Sequence, residues 1–270
     1  MRIRATVATL ATATAAALSA AALAVSALAV PAAGVEQDDS PTTFRDIEVN
    51  ENRDYTVVVP AARKVRFLVS AIVSDPSGVE SVSFELWHGA SREEADGRMA
   101  QVGFDRCVKI NEIESKCEAV VVADPYDNLR SNALAGVWTV GAVAVDGAGN
   151  VTREYDNPWL ARIKRQTHLS QADATPEPVK KGQDVTVRAR MIVGSWEQHR
   201  DVPLIGHQVL LQFRKGTSGP FTTLKKVKTD RNGWATATVP ATVDGQYRYD
   251  FAGTSLTQAR SGRADFVDVK

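Results

Sequence analysis

Five oxygen-bearing side chains lie in segments rich in turn-forming residues, and their chemistry is that of calcium ligands. They are Asp75, Asp124, Asp127, Asp146 and Asn150. Carboxylate and amide oxygens are the ligands that Ca²⁺ takes in proteins. The run Asp146-Gly-Ala-Gly-Asn150 lacks the regular alternation and distal Glu of a calcium-binding EF-hand loop. Because Asp and Asn also form ordinary turns, turn formation is the favoured interpretation and a calcium site is the alternative.

Two aromatic residues, Trp196 and Tyr126, lie in polar segments where a place in the core is not expected. Exposed aromatic side chains on loops of a rigid scaffold bind sugars or peptides. The sequence therefore makes the Trp196 segment and Tyr126 candidates for a ligand-binding surface.

The four histidines, His88, His168, His199 and His207, follow no metal-ligand spacing. Neither a Gly-x-Ser-x-Gly nucleophile turn nor a phosphate-binding glycine loop occurs in the sequence. A hydrolase or an enzyme inhibitor is the least favoured class, and we expect a non-catalytic protein without a cofactor.

The two cysteines, Cys107 and Cys117, are predicted to form a disulfide, since an even cysteine count in an exported chain favours pairing. A bridge over so short a loop would staple a hairpin. It would stabilise the fold by roughly 2–3 kcal/mol in the chain-entropy model.

The element that organises the first half of the chain runs from Ala135 to Asn150. Val137, Thr139, Gly141, Val143 and Val145 alternate with Trp138, Val140, Ala142 and Ala144. This period of two predicts a buried β-strand, and the following Gly and Asn residues predict a tight turn. A similar arrangement recurs at 244–253. Each copy is interpreted as the penultimate strand of a β-sandwich.

Short alternating segments separated by turn signals fill the rest of the chain, with no helical period. This pattern predicts an all-β protein of two sandwiches in tandem. The predicted boundaries are a signal peptide at 1–32, a disordered lead-in at 33–43, a first sandwich at 44–165, a proline-containing linker at 166–181 and a second sandwich at 182–270.

The amino terminus is predicted to be a cleaved secretory signal peptide. Arg2 and Arg4 precede an Ala-, Leu- and Val-rich stretch that ends in small-x-small sites. An uncleaved membrane anchor is the alternative, since the stretch is long enough to span a bilayer. Without the leader the chain has 30 Lys and Arg against 32 Asp and Glu. This balance makes nucleic acid an unexpected partner.

The second half of the chain resembles the bacterial immunoglobulin-like domains of secreted actinobacterial proteins. The residues that carry the resemblance are Lys181-Gly182, Pro203-Leu204-x-Gly206, Thr229-Asp230-x-x-Gly233 and Gly245-x-Tyr247-Arg248-x-x-Phe251-Ala252-Gly253. The resemblance covers 176–270 well and 44–163 loosely. It implies an immunoglobulin-like sandwich in which Tyr247 forms the tyrosine corner, with Trp138 in the equivalent place of the first domain.

These observations together predict a secreted, non-catalytic binding or spacer protein at or near the cell envelope. The expected partner is an unidentified protein or a cell-wall glycan, with no nucleic acid and no stable membrane insertion. A calcium-stabilised surface module is the alternative. The resemblance specifies a fold and carries no catalytic residue with it.

Overall fold

The computed structural model describes residues 42–51, 54–103 and 105–270. The predicted signal peptide and nearly all of the predicted lead-in lie outside these residues. Thr42 and Thr43 are described, and they belong to the fold. Thr42 is buried, and strand β1 begins at Thr43.

The described residues of the first sandwich form nine strands. They are β1 (Thr43–Val49), β2 (Thr56–Val59), β3 (Val65–Ser74), β4 (Val79–His88), β5 (Gly97–Ala100), β6 (Arg106–Lys109), β7 (Glu114–Ala123), β8 (Gly136–Asp146) and β9 (Val151–Arg165). One sheet has the order β1-β3-β7-β6 and the other has the order β2-β9-β8-β4-β5. Strand β2 pairs with β9 in parallel, and the other pairs are antiparallel.

Strand β8 is the organising strand that the sequence predicts. It lies between β9 and β4. Trp138, Val140, Ala142 and Ala144 face the core and are nearly inaccessible to solvent. The small side chains of Ala142 and Ala144 leave room in the core for large rings such as that of Trp138. The chain leaves the β4 sheet after Ala100 and joins β7 in the other sheet as β6.

The second sandwich has ten strands. They are β10 (Thr167–Leu169), β11 (Asp173–Thr175), β12 (Asp184–Ser195), β13 (Arg200–Pro203), β14 (Gln208–Lys215), β15 (Thr222–Lys228), β16 (Trp234–Pro240), β17 (Gly245–Phe251), β18 (Arg260–Ser261) and β19 (Asp265–Val267). The long β12 pairs with β10, β11, β13 and β16, and β14 lies between β15 and β17 in the opposing sheet.

The predicted linker at 166–181 is not a linker in the structure. Strands β10 and β11 occupy it and pair with β12 in antiparallel register. Ala172 and Ala174 are buried in the second core. The segment needs few large apolar residues because the small side chains of Ala172 and Ala174 fill the space that the second core leaves at these positions. Gln166 alone separates β9 from β10. The second sandwich therefore starts about fifteen residues earlier than the predicted boundary.

Candidate functional site

The candidate calcium ligands lie at both ends of the first sandwich and do not converge. Asp75 follows β3, whereas Asp124 follows β7. These strands are antiparallel, with Val65 opposite Ala123 and Ser74 opposite Glu114. Asp75 and Asp124 are thus separated by the length of the strands. Across the described ranges, no group of three His, Cys, Asp or Glu side chains could hold a metal ion.

The carboxylates at one end organise the turns in which they lie. Asp146 accepts hydrogen bonds from the backbone N–H groups of Ala148 and Asn150, each at 2.8 Å, and from Asn150 Nδ2 at 2.9 Å. Burial opposes ionisation of Asp146, but the hydrogen bonds from Asn150 and Ala148 outweigh it and hold its pKa below the usual range.

Asp75 and Asp124 have similar roles. Asp75 accepts hydrogen bonds from Ser77 Oγ at 2.7 Å and from Thr42 Oγ1 at 2.8 Å. Asp124 accepts one from the backbone N–H of Tyr126 at 2.9 Å. These bonds favour the turn interpretation of both residues.

The prediction that Trp196 is an exposed binding residue is wrong. Its side chain is fully buried, and it packs into the hydrophobic core of the first sandwich although it follows β12 of the second. Its indole Nε1 donates a hydrogen bond to the carbonyl of Val59 at 3.3 Å. The sequence neighbours of Trp196 are polar although its ring is buried, because the ring extends from the second sandwich into the core of the first.

Polar contacts surround this inserted ring. The backbone N–H of Trp196 donates to Asn132 Oδ1 at 2.9 Å. Glu197 Oε1 accepts from the backbone N–H of Asn132 at 3.0 Å and from Ser131 Oγ at 3.1 Å. These bonds, that of Asn132 first, hold the pKa of Glu197 below its usual range.

Tyr126, the other predicted binding residue, also lies at this contact. Its ring stacks on the imidazole of His199, with 4.0 Å between the ring centroids. The side chain remains more than half exposed. Tyr126 thus joins the two sandwiches at the rim of the contact, and its outer face is accessible.

Arg165 completes the junction from the end of β9. Its Nε donates to the carbonyl of Gly194 at 2.8 Å, and its backbone N–H donates to Leu256 O at 3.0 Å. Desolvation lowers the pKa of the half-buried guanidinium. Gly194 lies so close to the first sandwich that a Cβ atom there would be 2.9 Å from the backbone nitrogen of Ala61.

Trp138 and Tyr247 are the two residues predicted to be structural. Both are buried, but the hydroxyl-to-backbone bond expected of Tyr247 is made by a different tyrosine. Trp138 is buried, and its Nε1 donates to Leu134 O at 2.8 Å, a bond back to the chain just before its own strand. Tyr247 is buried against Phe213, with 4.8 Å between ring centroids. In β17 it is Tyr249 whose hydroxyl group donates a hydrogen bond to a backbone carbonyl, that of Val187 in the opposing sheet, at 2.9 Å.

The disulfide is confirmed. Cys107 and Cys117 are bonded, and they lie directly opposite each other in the β6–β7 hairpin. The bridge staples this hairpin and does not join the two sheets, as the sequence predicts.

The histidines form no nucleophile–base pair. His88 Nδ1 lies 2.6 Å from Asp96 Oδ1, and His207 Nδ1 lies 2.9 Å from the carbonyl of Ile205. Among the described residues, no Ser, Thr or Cys side chain is hydrogen-bonded to an imidazole ring.

Sequence reasoning missed a cationic surface on the outer face of the β15-β14-β17 sheet. Gln212-Phe-Arg214 in β14 and Gln246-Tyr-Arg248 in β17 share one pattern, and antiparallel register places each Gln beside the Arg of the other strand. Arg214 Nε donates to Gln246 Oε1, and Arg248 Nε donates to Gln212 Oε1, both at 2.8 Å. The repeated Gln-aromatic-Arg tripeptide was the signal available in the sequence.

The two guanidinium groups of this surface both lie over the ring of Phe221. The Cζ atoms of Arg248 and Arg214 lie 3.9 Å and 4.6 Å from its ring centroid. Lys226 and Lys228 extend the same face along β15, because they pair with the outward residues Leu210 and Gln208. We call Arg214, Arg248, Phe221, Lys226 and Lys228, with the two glutamines, the guanidinium face.

A wide groove of about 710 Å³ opens beside β5 and the end of β7. Lys64, Arg66 and Arg98 line it together with Asp124 and Asp127. Charges of both signs therefore face the same space, and the groove favours no single class of charged ligand.

Comparisons with solved structures found immunoglobulin-like and fibronectin-like domains, all at low TM-scores. The D00-D0 domain of intimin is 16% identical over 82% of this chain and 99% of that chain, with a TM-score of 0.26. The fibronectin(III)-like modules of Clostridium thermocellum CbhA are 12% identical over 79% of this chain and 87% of that chain, with a TM-score of 0.30. A putative membrane anchored protein from Corynebacterium diphtheriae is 14% identical over 83% of this chain and 52% of that chain, with a TM-score of 0.27.

These scores carry no argument about function. No family model matches the sequence, and no curated protein matches it. The structure itself establishes the all-β class and the two tandem sandwiches. In the described part of the chain, no helix has the length and apolar character needed to cross a membrane.

Proposed function

We propose that this protein is an exported, non-catalytic module whose two sandwiches act as one rigid unit, serving as a spacer or binding scaffold at or near the cell envelope. The observation that carries the proposal is the burial of Trp196 of the second sandwich in the core of the first. A scaffold that presents a surface at a fixed distance needs domains that do not rotate independently, and a buried apolar contact provides this.

The rest of the junction supports a rigid connection. The single residue Gln166 joins the sandwiches, and its backbone N–H donates to Val59 O at 3.0 Å. Arg165 bonds to the carbonyl of Gly194, which precedes Trp196 in the chain, and Glu197, which follows Trp196, bonds to the backbone N–H of Asn132. Bonds to backbone atoms restrict the orientation of the domains more than pairs of flexible side chains do. Export is supported by the disulfide, because such bonds persist in oxidising compartments.

Small-angle X-ray scattering on residues 33–270 tests the rigid unit. The wild-type curve should fit a single orientation of the sandwiches, and Trp196→Ala should require a mixture of orientations. The matched control is Trp234→Ala, because Trp234 lies in the second sandwich and its ring is covered by Arg188 with 4.7 Å between guanidinium and ring. A wild-type curve that needs a broad mixture would contradict the proposal.

Fractionation of cells that express the full chain tests export. We expect the protein outside the cytoplasm, without its leader and with Cys107 and Cys117 bonded. Retention in the cytoplasm with both thiols free would exclude an extracellular role. Replacing both Arg2 and Arg4 by Glu should reduce export, since the basic residues orient the leader.

A further inference from the structure

We propose that the guanidinium face of the second sandwich binds a carboxylate-bearing glycan. This inference deepens the proposed function, since it names the ligand class of the scaffold. It rests on the fixed positions of Arg214 and Arg248, which are half-buried and project from neighbouring strands on one side of the sheet.

The two guanidinium groups are held in place before any ligand binds. The Nε donor of each is used by a glutamine, and one side of each plane is covered by Phe221. Among the described residues, the terminal Nη atoms of Arg214 and Arg248 donate no hydrogen bond. An arginine whose side chain is already ordered loses less conformational entropy on binding than a mobile one.

These cations have no carboxylate partner among the described residues. None of Arg214, Arg248, Lys226 and Lys228 forms an ion pair with Asp or Glu there. The acidic residue on the same face is Asp250, whose Oδ1 accepts a hydrogen bond from Ser261. The face therefore carries an excess of positive charge.

The charge of the whole second sandwich reinforces this excess. Residues 167–270 contain 15 Lys and Arg against 10 Asp and Glu, a net charge of +5, whereas residues 42–166 contain 15 against 19, a net charge of −4. The near neutrality of the complete chain conceals this separation. An anionic ligand is drawn to the second sandwich and repelled by the first.

The spread of the cations indicates a polymer. Along a strand, outward residues recur about every 6.8 Å, and neighbouring strands lie about 4.8 Å apart. The cations from Lys228 to Arg214 therefore extend over roughly 20 Å. A small anion contacts one or two of them, whereas a chain with a repeated negative charge contacts them in succession.

The planar forks of the two guanidinium groups match the geometry of a carboxylate. A planar carboxylate can lie in the plane of a fixed guanidinium and accept two parallel hydrogen bonds from its Nη atoms. Nucleic acid is disfavoured because the Phe221 ring, which a base would need for stacking, is already covered by Arg214 and Arg248.

The test measures the dissociation constant of residues 33–270 for polygalacturonate by isothermal titration calorimetry. We expect binding that weakens as salt rises, and no binding to the fully methyl-esterified polymer, which lacks the charge. The double variant Arg214→Gln/Arg248→Gln should bind at least tenfold more weakly. The control Arg188→Gln should bind as the wild type does, because Arg188 is also stacked on an aromatic ring but lies in the other sheet of the same sandwich.

Two further measurements distinguish recognition by the forked arginine donors from attraction between opposite charges alone. The variant Arg214→Lys/Arg248→Lys keeps the charge and loses the forked donors, so we expect severalfold weaker binding. Poly(glycerol phosphate) carries a phosphate instead of a carboxylate, and we expect it to bind more weakly than polygalacturonate. Wild-type affinity in the lysine variant, tighter binding of the phosphate polymer, or an equal loss in Arg188→Gln would each overturn the proposal.

Thermal melting establishes that each variant is folded. If the double glutamine variant does not fold, Phe221→Leu, which frees both guanidinium groups, should still weaken binding severalfold, and unchanged binding would overturn the proposal. Export and rigidity are measured separately from glycan binding. A rigid, exported protein that does not bind polygalacturonate would retain the spacer function and lose this inference.

Discussion

At the scale of single residues, the carboxylates are most informative, because hydrogen bonds within their own turns already use their oxygens. Asp146 shows this most clearly, with three hydrogen bonds from the residues that follow it. These bonds occupy three of the about four lone-pair sites of the carboxylate, which leaves little of it for a cation. The Asp-Gly-Ala-Gly-Asn run is thus sufficient to explain its own turn.

We expect EDTA to leave the melting temperature of residues 33–270 unchanged, and added calcium to leave it unchanged as well. The physical reason is that the oxygens of Asp75 and Asp146 accept hydrogen bonds from their own turns or from Thr42. Differential scanning fluorimetry in both conditions measures this. A rise of several degrees with calcium would restore the calcium-stabilised module as the leading function.

The lowered pKa of Asp146 predicts a defined pH dependence. A carboxyl group whose pKa is lower in the folded state stabilises the fold above its unfolded pKa, and this stabilisation is lost as pH falls through the folded pKa. The difference in unfolding free energy between wild type and Asp146→Asn should therefore be constant at neutral pH and shrink below about pH 4. Urea denaturation at several pH values measures it, and a difference that grows on acidification would contradict the assignment.

At the scale of elements, the β6–β7 hairpin depends on a local covalent bond. Cys117 is buried, and Cys107 packs against the first core. Strand β6 has only four residues and lies at the edge of its sheet, so it has few other contacts. The disulfide therefore holds in place an element that hydrogen bonds alone would hold weakly.

Replacing both cysteines by serine should lower the free energy of unfolding by about 2–3 kcal/mol. The fold of the second sandwich should be unaffected, since the bond lies within one hairpin. Chemical denaturation measures the loss, and reduced wild-type protein is the matched control. A loss below about 0.5 kcal/mol would show that the strand pairing suffices without the bond.

At the scale of the whole molecule, the junction between the sandwiches decides how the protein can act. Local alternation specifies the strands of each domain, whereas Trp196, Glu197 and Arg165 make the contacts that join the two domains. In the proposed rigid unit, the guanidinium face keeps a fixed place relative to the first sandwich. Loss of the junction should leave both domains folded and uncoupled.

Trp196→Ala should convert one cooperative unfolding transition into two. Truncation of a fully buried Trp costs about 3–5 kcal/mol, and this loss falls on the contact between the domains. Differential scanning calorimetry measures the number of transitions. Trp234→Ala is the control, and it should keep a single transition with a smaller shift, because that ring is half-exposed. A single transition in Trp196→Ala would show that the remaining contacts couple the domains by themselves.

Gly194→Ala tests the same junction from the backbone. A methyl group at Gly194 would lie 2.9 Å from the nitrogen of Ala61, which is a backbone atom that cannot rotate away. We therefore expect the domains to separate at this point and the scattering curve to broaden. The control is Ala241→Gly, because Ala241 is buried in the second core away from the junction. Gly206→Ala would not serve, because the positive φ of Gly206 would strain an alanine there.

The sequence by itself determined the all-β class, the two sandwiches, the buried strand β8 and the disulfide pairing. Each follows from information within a short stretch: a period of two, a turn signal, or the one available pair of cysteines. The turn roles of Asp124 and Asp146 also lie in short stretches, since each carboxylate accepts hydrogen bonds from residues two to four positions further along the chain.

Only the tertiary structure decided where Trp196 lies, that 166–181 belongs to the second sandwich, and that Arg214 and Arg248 share one ring. Trp196 looked exposed because its sequence neighbours are polar, whereas its burial is supplied by residues more than sixty positions away. The guanidinium face likewise depends on the register between β14 and β17. Long-range pairing leaves no periodic trace within either segment, so its consequences appear only when the chain is folded.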